Sequence, residues 1–131
     1  MEQPILATMK MMENDRFATA NGIVIDELGE GFAKASMEVT PQILNGVGTV
    51  QGGALFTLAD FCFATAANSY GVMTVSLDAN ISFIKAVKSG KLTATAKEIF
   101  RRRTVAGYNV EIKTEDDELV CVFNTTAYIK N

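Results

Sequence analysis

The sequence predicts an α+β protein in which an antiparallel β-sheet curls around one long central helix. Residues 54–68 lack glycine and proline and carry apolar side chains on all sides, as does a helix enclosed by other structure. Four strand-like runs joined by short turns then follow, which favours antiparallel pairing. We expect the 131 residues to form a single domain, 1–131, long enough for its own core.

Alternation and turn residues predict the other elements in chain order. They are a short helix over 5–13, strands over 22–30 and 32–39, the central helix from about Gln51, and strands over 74–83, 90–100, 105–114 and 119–129. Pro4 suits the start of the first helix, and Asn14–Asp15 ends it. In the 74–83 strand the alternation is regular, so it predicts one apolar and one polar face.

Composition excludes several kinds of chemistry. The sequence has no histidine, which excludes Ser-His-Asp and Cys-His nucleophile systems and His-ligated zinc sites. Acid–base chemistry must then use a carboxylate, cysteine, tyrosine, lysine or water. Cys62 and Cys121 stand in apolar contexts, so we expect free buried thiols. No signal-peptide pattern is present, and the central helix is too short and polar for a membrane, so a cytoplasmic location is expected.

Asp60 stands in the middle of the predicted central helix. It shares one narrow face with Thr57, Ala64 and Asn68, since these residues recur at steps of three or four. The carboxylate either marks a solvent-facing edge or performs a task. Its apolar flanks favour the task, because aspartate is rarely buried without a partner or a function.

Glycines interrupt the loop that precedes this helix. The loop is neither a dinucleotide fingerprint nor a phosphate loop, because Gln51 replaces the third glycine and no Lys-Ser/Thr pair follows Gly53. Its use is therefore expected to be its backbone. A free N–H group in the first turn of a helix can hold the oxyanion that forms when a carbonyl is attacked, and a glycine lets the substrate approach closely.

Basic residues concentrate between positions 85 and 103. The segment holds seven basic residues and one acidic residue in a chain of net charge −3: Lys85, Lys88, Lys91, Lys97, Arg101, Arg102 and Arg103, with Glu98. Such a patch suits a polyanionic ligand, whereas the acidic overall balance argues against nucleic acid. The alternative is a solvated strand face followed by a charged turn.

The pattern Asn45-Gly46…Gln51-Gly52-Gly53-x6-Asp60 resembles the N-G…H-G-G-x6-D signature of the hotdog-fold acyl-CoA thioesterases, closest to the phenylacetyl-CoA thioesterase type. The resemblance extends to residues 12–15, 75–83 and 92–96, and so covers nearly the whole chain. It implies the hotdog fold and an acyl-CoA or aryl-acyl-CoA substrate. It also implies no separate cofactor and no metal, since coenzyme A belongs to the substrate.

The same resemblance implies the catalytic residues. Gly52 would supply the oxyanion N–H, and Asp60 would act as general base or nucleophile. Asn45 would orient the thioester or water, and Ser76 would position the water. Gln51 stands where these thioesterases usually carry histidine. Its amide can donate and accept hydrogen bonds but cannot gain a charge near neutral pH.

Substrate contacts are also implied by resemblance. Asn14 and Gly53 would border the site. The coenzyme A phosphates would meet Lys85 and the turn formed by Arg101, Arg102, Arg103 and Thr104. Two rival interpretations stay open: a non-catalytic acyl-CoA binding protein, for which Gln51 would signal lost catalysis, and a structural assembly domain, which leaves Asp60 unexplained.

Helix geometry adds an expectation about assembly. Gly52 and Asp60 are eight residues apart in the sequence. That separation puts their backbones about 12 Å apart along one helix, too far for both to serve one thioester carbonyl. We therefore expect an obligate homodimer in which each site combines Gly52 of one subunit with Asp60 of the other. The family resemblance further implies a homotetramer, built as a dimer of dimers.

Overall fold

The computed structural model describes residues 2–130 as one antiparallel sheet and a central helix, which confirms the predicted fold. The elements are α1 (Glu2–Glu13), α2 (Arg16–Ala20), β1 (Val24–Gly29), β2 (Phe32–Glu38), a 3₁₀ turn (Pro41–Ile43), α3 (Gly52–Ala67), β3 (Thr74–Phe83), β4 (Lys91–Arg101), β5 (Val105–Lys113) and β6 (Leu119–Ile129). The six strands lie in the order β1-β2-β4-β5-β6-β3, and every neighbouring pair is antiparallel.

Helix α3 forms the centre of the core. Leu58, Ala59 and Cys62 are fully buried against the sheet. The facing strands carry alanines such as Ala94 and Ala96, whose small side chains let the helix backbone approach closely. At the edges of this contact Phe63 meets the ring of Tyr108 edge to face, with the centroids 5.4 Å apart. The opposite side of α3, which carries Asp60, stays partly open.

Both cysteines are free and buried, as predicted. The Cys62 thiol lies between strands β2 and β4, where it donates to the carbonyl oxygens of Ala33 at 3.4 Å and Ala94 at 3.5 Å. Burial raises the pKa of Cys62 and of Cys121 to about 12. Neither thiol is therefore available as a thiolate nucleophile near neutral pH.

The junction between α1 and α2 differs from the sequence prediction. The first helix starts at Glu2 rather than near residue 5, and the chain forms a second helix directly after Asp15. The Asp15 side chain caps that helix, since its Oδ1 accepts from the Ala18 N–H at 3.0 Å. Helix α2 is five residues long, too short for a helical period to show in the sequence.

Strand β3 lies at one edge of the sheet and corrects a second prediction. Its bounds match, but a bulge between Ser76 and Asp78 breaks the alternation, so the prediction of one wholly apolar face is wrong. Val75 lies opposite the exposed Tyr128. Leu77 and Phe83 are 60% and 55% exposed, respectively. The strand thus presents apolar side chains and an unpaired backbone edge to solvent.

Candidate active site

The loop 45–51 leads into the start of α3 and is organised by Asn45. The Asn45 Oδ1 accepts from the N–H groups of Val47 at 3.0 Å and Thr49 at 3.1 Å, and its Nδ2 donates to Thr49 Oγ1 at 3.0 Å. Both ends of this amide are therefore occupied by the loop. The hydrogen bonds of Asn45 therefore fix the conformation of the loop that precedes Gly52.

The first turn of α3 carries unsatisfied donors. Gln51 is the N-cap residue and makes no capping hydrogen bond with its side chain. The N–H groups of Gly52 and Gly53 meet no acceptor among residues 2–130, whereas those of Ala54 and Leu55 donate to Gln51 O. Two backbone donors thus point out of a helix N-terminus, where the helix dipole also favours negative charge.

Neighbouring side chains lie close to both glycines. A Cβ at Gly52 would lie 3.1 Å from the ring of Phe83, and a Cβ at Gly53 would lie 2.9 Å from the Gln51 side-chain oxygen. The Gln51 amide is therefore folded back over the first turn of the helix. A larger residue at position 52 would displace the Phe83 ring that covers this turn. The arrangement places the two free N–H groups beside a neutral amide, with no charged group from Gln51.

Asp60 lies two turns further along α3 and is half-buried. Its carboxylate makes no hydrogen bond and no ion pair with any residue between 2 and 130. Burial raises the pKa of Asp60, and the negative charge of Asp15 raises it further. The α1–α2 junction, with Asn14 exposed next to Asp15, consequently lies close to Asp60. An unpaired carboxylate with a raised pKa is suited to accept a proton from water.

Ser76 is held in the bulge of β3. Its hydroxyl donates to Asp78 O at 2.9 Å and lies 2.8 Å from Thr125 Oγ1. Strand β3 runs from the C-terminal end of α3, where Thr74 bonds Asn68, to the N-terminal end, where Phe83 covers Gly52. Seven residues of strand separate Ser76 from Phe83, which corresponds to about 23 Å. Within one protomer the structure does not bring Ser76 and Gly52 together.

The predicted phosphate contacts also divide between the two ends of α3. Lys85 follows β3 on the Gly52 side, is exposed, and pairs with Glu118 at 3.6 Å. The 101–104 turn lies on the opposite side. There Arg102 and Arg103 are exposed, but the Arg101 guanidinium lies 3.9 Å over the ring of Tyr70 and its Nη1 is 3.8 Å from Glu98.

A cavity of about 420 Å³ opens beside the first turn of α3, and of the residues that line it sequence analysis identified only Gln51 and Gly53 as site residues. Its lining is largely apolar and includes Phe17, Ile23, Met37, Ile43, Gln51 and Thr57. Phe17 belongs to helix α2, which sequence analysis did not predict. The N-capping residue Asp15 was the signal in the sequence that could have indicated this helix. A hollow of about 470 Å³ also exists, but it lies on the outer sheet face among polar side chains such as Lys34, Thr95 and Glu111.

Two further findings bear on the kind of site. Residues 2–130 contain no group of three or more Cys, Asp or Glu side chains placed to hold a metal ion. No helix in the same range is both long and apolar enough to cross a bilayer.

Comparisons with known proteins agree with this geometry. The thioesterase superfamily pattern matches residues 47–121, more than half of the chain. The acyl-coenzyme A thioesterase PaaI of Escherichia coli is 41% identical over 114 residues, which span 86% of this chain and 81% of that protein.

Solved structures give the same result. The PaaI structure from the E. coli phenylacetic acid degradation operon superposes with a TM-score of 0.93 at 35% identity, covering 98% of this chain and 95% of the other. A Streptococcus pneumoniae hypothetical thioesterase solved with coenzyme A gives 0.88 at 27% identity, covering 94% and 97%. The chain accordingly belongs to the thioesterase superfamily, with the hotdog fold and a similarity to PaaI.

Proposed function

We propose that this thioesterase hydrolyses acyl-CoA esters, with Asp60 as the base or nucleophile and the Gly52 N–H as the oxyanion donor. In the base route Asp60 takes a proton from water, and the water oxygen attacks the thioester carbonyl carbon. The negative charge that develops on the carbonyl oxygen is held by the free N–H at the start of α3. Collapse of this intermediate expels coenzyme A as the thiolate and leaves the carboxylic acid. In the nucleophile route the carboxylate attacks the carbonyl carbon and expels the coenzyme A thiolate, and water then hydrolyses the mixed anhydride to release the acid and restore Asp60.

The observation that carries this proposal is that helix α3 has both free N–H donors and a free carboxylate. Gly52 and Gly53 carry the unsatisfied N–H groups, and Asp60 has no partner among residues 2–130. The name of the E. coli relative, an acyl-coenzyme A thioesterase, supports the substrate class. The pneumococcal neighbour, solved with coenzyme A, supports it as well. Coenzyme A is then part of the substrate, and no separate cofactor is proposed.

A homodimer solves the distance problem between these groups. Strand β3 is an unpaired edge with exposed apolar side chains, among them Leu77 and Phe83. Such an edge is a template for another strand, and a second copy of β3 is its self-complementary partner. Antiparallel pairing of the two β3 strands sets the α3 helices side by side in opposite directions. Gly52 then faces Asp60 of the partner subunit.

The same two-fold arrangement brings Lys85 close to Ser76 and the 101–104 turn of the partner subunit, which lie far from it within one protomer. With the axis near the middle of β3, Phe83 lies opposite Thr74 of the partner subunit. In each protomer Thr74 pairs with Ile129, whose N–H bonds Thr104 O at 2.9 Å. The 101–104 turn of the partner subunit is then three strand spacings from Phe83, about 14 Å. Lys85, Ser76 of the partner subunit and that turn would surround one bound coenzyme A. The family resemblance implies that two such dimers form a homotetramer, which sedimentation analysis tests.

The acyl group is assigned to the cavity beside Gly53. Its volume of about 420 Å³ and its apolar walls, with Phe17 at the rim and Met37 at the buried base, suit an aryl or medium-length acyl chain. The Phe17 side chain is 69% exposed, so a bound acyl group would cover part of it. Bulky acyl groups that exceed this volume are expected to be poor substrates.

Gln51 favours one alternative, a non-catalytic acyl-CoA binding protein. The experiment that decides is a panel of acyl-CoA esters with detection of the released thiol, run beside calorimetry with free coenzyme A. Thiol release by the wild type supports the enzyme. If the protein binds coenzyme A but releases thiol from no ester, the binding-protein hypothesis replaces the enzyme hypothesis. If it neither binds coenzyme A nor releases thiol, both hypotheses are wrong.

A further inference from the structure

Glu98 forms the centre of a polar cluster at the C-terminal end of α3. Tyr108 donates to its Oε2 at 2.8 Å, and Tyr70 donates to its Oε1 at 3.3 Å. The Glu98 side chain is 21% exposed, as is that of Arg101, whose Nη1 lies 3.8 Å from Oε2. Burial, and after it Glu98, raises the pKa of both tyrosines, so their hydroxyl groups stay protonated donors.

Arg101 is held by this cluster on two sides. Its guanidinium lies 3.9 Å above the Tyr70 ring, within the range of a cation–π contact. Its Nη1 is buried and finds no hydrogen-bond acceptor in the described part of the chain. The charge that sequence analysis assigned to a phosphate contact is therefore directed into the protein, against Tyr70 and Glu98.

A β-bulge makes this arrangement possible. Residues three apart on a regular strand point to opposite faces of the sheet. In β4 the register shifts between Glu98 and Phe100, so Glu98 lies opposite Tyr108 and Arg101 lies opposite Ala106, both buried on the helix side. Phe100 turns to the outer face over Gly107, where a Cβ would clash with its ring.

The turn that follows is anchored at both ends by backbone hydrogen bonds. The Arg102 N–H donates to Val105 O at 2.7 Å, and the Ile129 N–H donates to Thr104 O at 2.9 Å. Arg102 and Arg103 are exposed, whereas Arg101 is not. Three consecutive guanidinium groups repel one another, and pairing the first with Glu98 on the inner side separates its charge from the other two.

We propose that Glu98 and Tyr70 are positioning residues for coenzyme A recognition, which act by holding Arg101 so that the turn presents Arg102 and Arg103 to the phosphates. The inference rests on the proposed function, because it needs the 101–104 turn to meet those phosphates. It assigns Arg101 to the scaffold of the turn and leaves the phosphate contacts to its two neighbours. Replacing the Glu98 charge frees Arg101 to compete for the space that the phosphates need.

The test compares substrates with and without phosphates. Glu98→Gln keeps an acceptor oxygen for one of the two tyrosine hydroxyls and removes the charge, and Tyr70→Leu removes the ring beneath Arg101. We expect either change to raise KM for an acyl-CoA about three- to tenfold, with kcat unchanged. The KM for the matching N-acetylcysteamine thioester, which has no phosphates, stays at the wild-type value. The control is Glu111→Gln, on the outer face of β5, which is expected to change neither KM.

Direct binding provides a second measurement that does not depend on hydrolysis. The Kd for free coenzyme A should rise by the same factor in Glu98→Gln. Arg102→Ala with Arg103→Ala should raise the same Kd and the KM for the acyl-CoA. This double variant tests the phosphate site itself, whereas the Glu98 and Tyr70 variants test its positioning.

The other possible results each contradict a different part of the proposal. An unchanged KM and Kd in Glu98→Gln, with a clear effect of the double arginine variant, overturns the positioning role and leaves the proposed function intact. Equal losses with both thioesters would show that Glu98 supports the fold only. If the double arginine variant binds coenzyme A normally, both the phosphate turn and this inference are wrong, while thiol release by the wild type still stands.

Discussion

The two ends of helix α3 are built in opposite ways. At the C-terminal end the Asn68 carboxamide accepts from the Thr74 N–H at 2.8 Å and donates to Ala64 O and Thr74 O, while Thr8 donates to Asn68 O at 2.6 Å. At the N-terminal end the Gly52 and Gly53 N–H groups have no acceptor among residues 2–130.

The C-terminal end of α3 thus stabilises the fold, whereas the N-terminal end leaves backbone donors free. Every helix leaves unsatisfied backbone groups at both ends, and burial makes them costly unless they find partners. The buried end of α3 meets that need with the side chains of Asn68 and Thr8 and the backbone of Thr74. The open end leaves its donors without an acceptor among residues 2–130, and the half-buried Asp60 carboxylate lies between the two ends. Variants at each end should therefore fail in different ways.

Asp60→Asn should give the largest single effect on activity. Removing the base lowers kcat by about 10² to 10⁴, with less effect on substrate binding. Stability should not fall. The pKa of Asp60 is raised in the folded state, so the stabilising effect of its protonated form is lost as pH rises through that pKa, and at neutral pH the ionised carboxylate is unfavourable. Steady-state kinetics measures kcat and urea unfolding measures stability. The matched control is Asp116→Asn in the exposed 115–118 turn. A folded Asp60→Asn variant with wild-type turnover would remove Asp60 from the mechanism.

Mixing two inactive variants tests whether the open end of one helix works with its partner's carboxylate. Gly52→Pro removes the oxyanion N–H, which costs about 10² to 10³ in kcat, and proline is tolerated in the first helical turn. The Phe83 ring must shift, because a Cβ at position 52 would lie 3.1 Å from it. After co-refolding with Asp60→Asn, a mixed dimer has one site with both defects and one with neither. Activity should return to a substantial fraction of the wild type, and its absence in verified heterodimers would contradict the shared site.

Asn68→Ala should damage the closed end of α3. The variant leaves the buried Thr74 N–H without its acceptor and removes two further hydrogen bonds, so the free energy of unfolding should fall by about 2 to 4 kcal/mol. Below the unfolding transition kcat should stay near the wild-type value, because the Gly52 end is untouched. Urea titration and kinetics at low temperature provide the two readings. A variant of normal stability, or one that loses kcat while folded, would break the proposed division between the ends.

Asp15→Asn should produce the smallest effect, a displacement of the pH profile. The negative charge of Asp15 helps to raise the pKa of Asp60, so its removal lowers that pKa. Since the base must be deprotonated, activity is lost as pH falls through the Asp60 pKa, and the acidic limb of kcat/KM moves to lower pH in the variant. Asparagine keeps the cap of α2, so stability serves as the internal control. An unmoved limb, or one that moves to higher pH, would exclude this charge coupling.

Local patterns were sufficient for much of this molecule. The central helix was predicted from about Gln51 and runs over Gly52–Ala67, because its signals are all contained in neighbouring residues: glycines before it, and apolar side chains without glycine or proline within it. The strands over 105–114 and 119–129 end within a residue of Lys113 and Ile129 for the same reason. The glycine loop and Asp60 were identified without coordinates, and the thioesterase resemblance that they carried is confirmed.

Features that depend on distant residues were not predictable in this way. The bulge of β3 is stabilised by hydroxyl contacts between Ser76 and Thr125, which are 49 positions apart. Arg101 looked like a surface charge, because the ring beneath it belongs to Tyr70. The cavity beside Gly53 needs Phe17, Met37 and Thr57 from three separate elements.

By itself the sequence determined the element types, the absence of histidine chemistry, and the candidate base and donor, because residue type and local periodicity act over a few neighbours. Only the tertiary structure decided which groups are satisfied and which stay free. Hydrogen-bond partners, cavities and burial are set where strands and helices from distant positions meet. That is why Asn68 and Gly52, at the two ends of one predicted helix, have opposite roles.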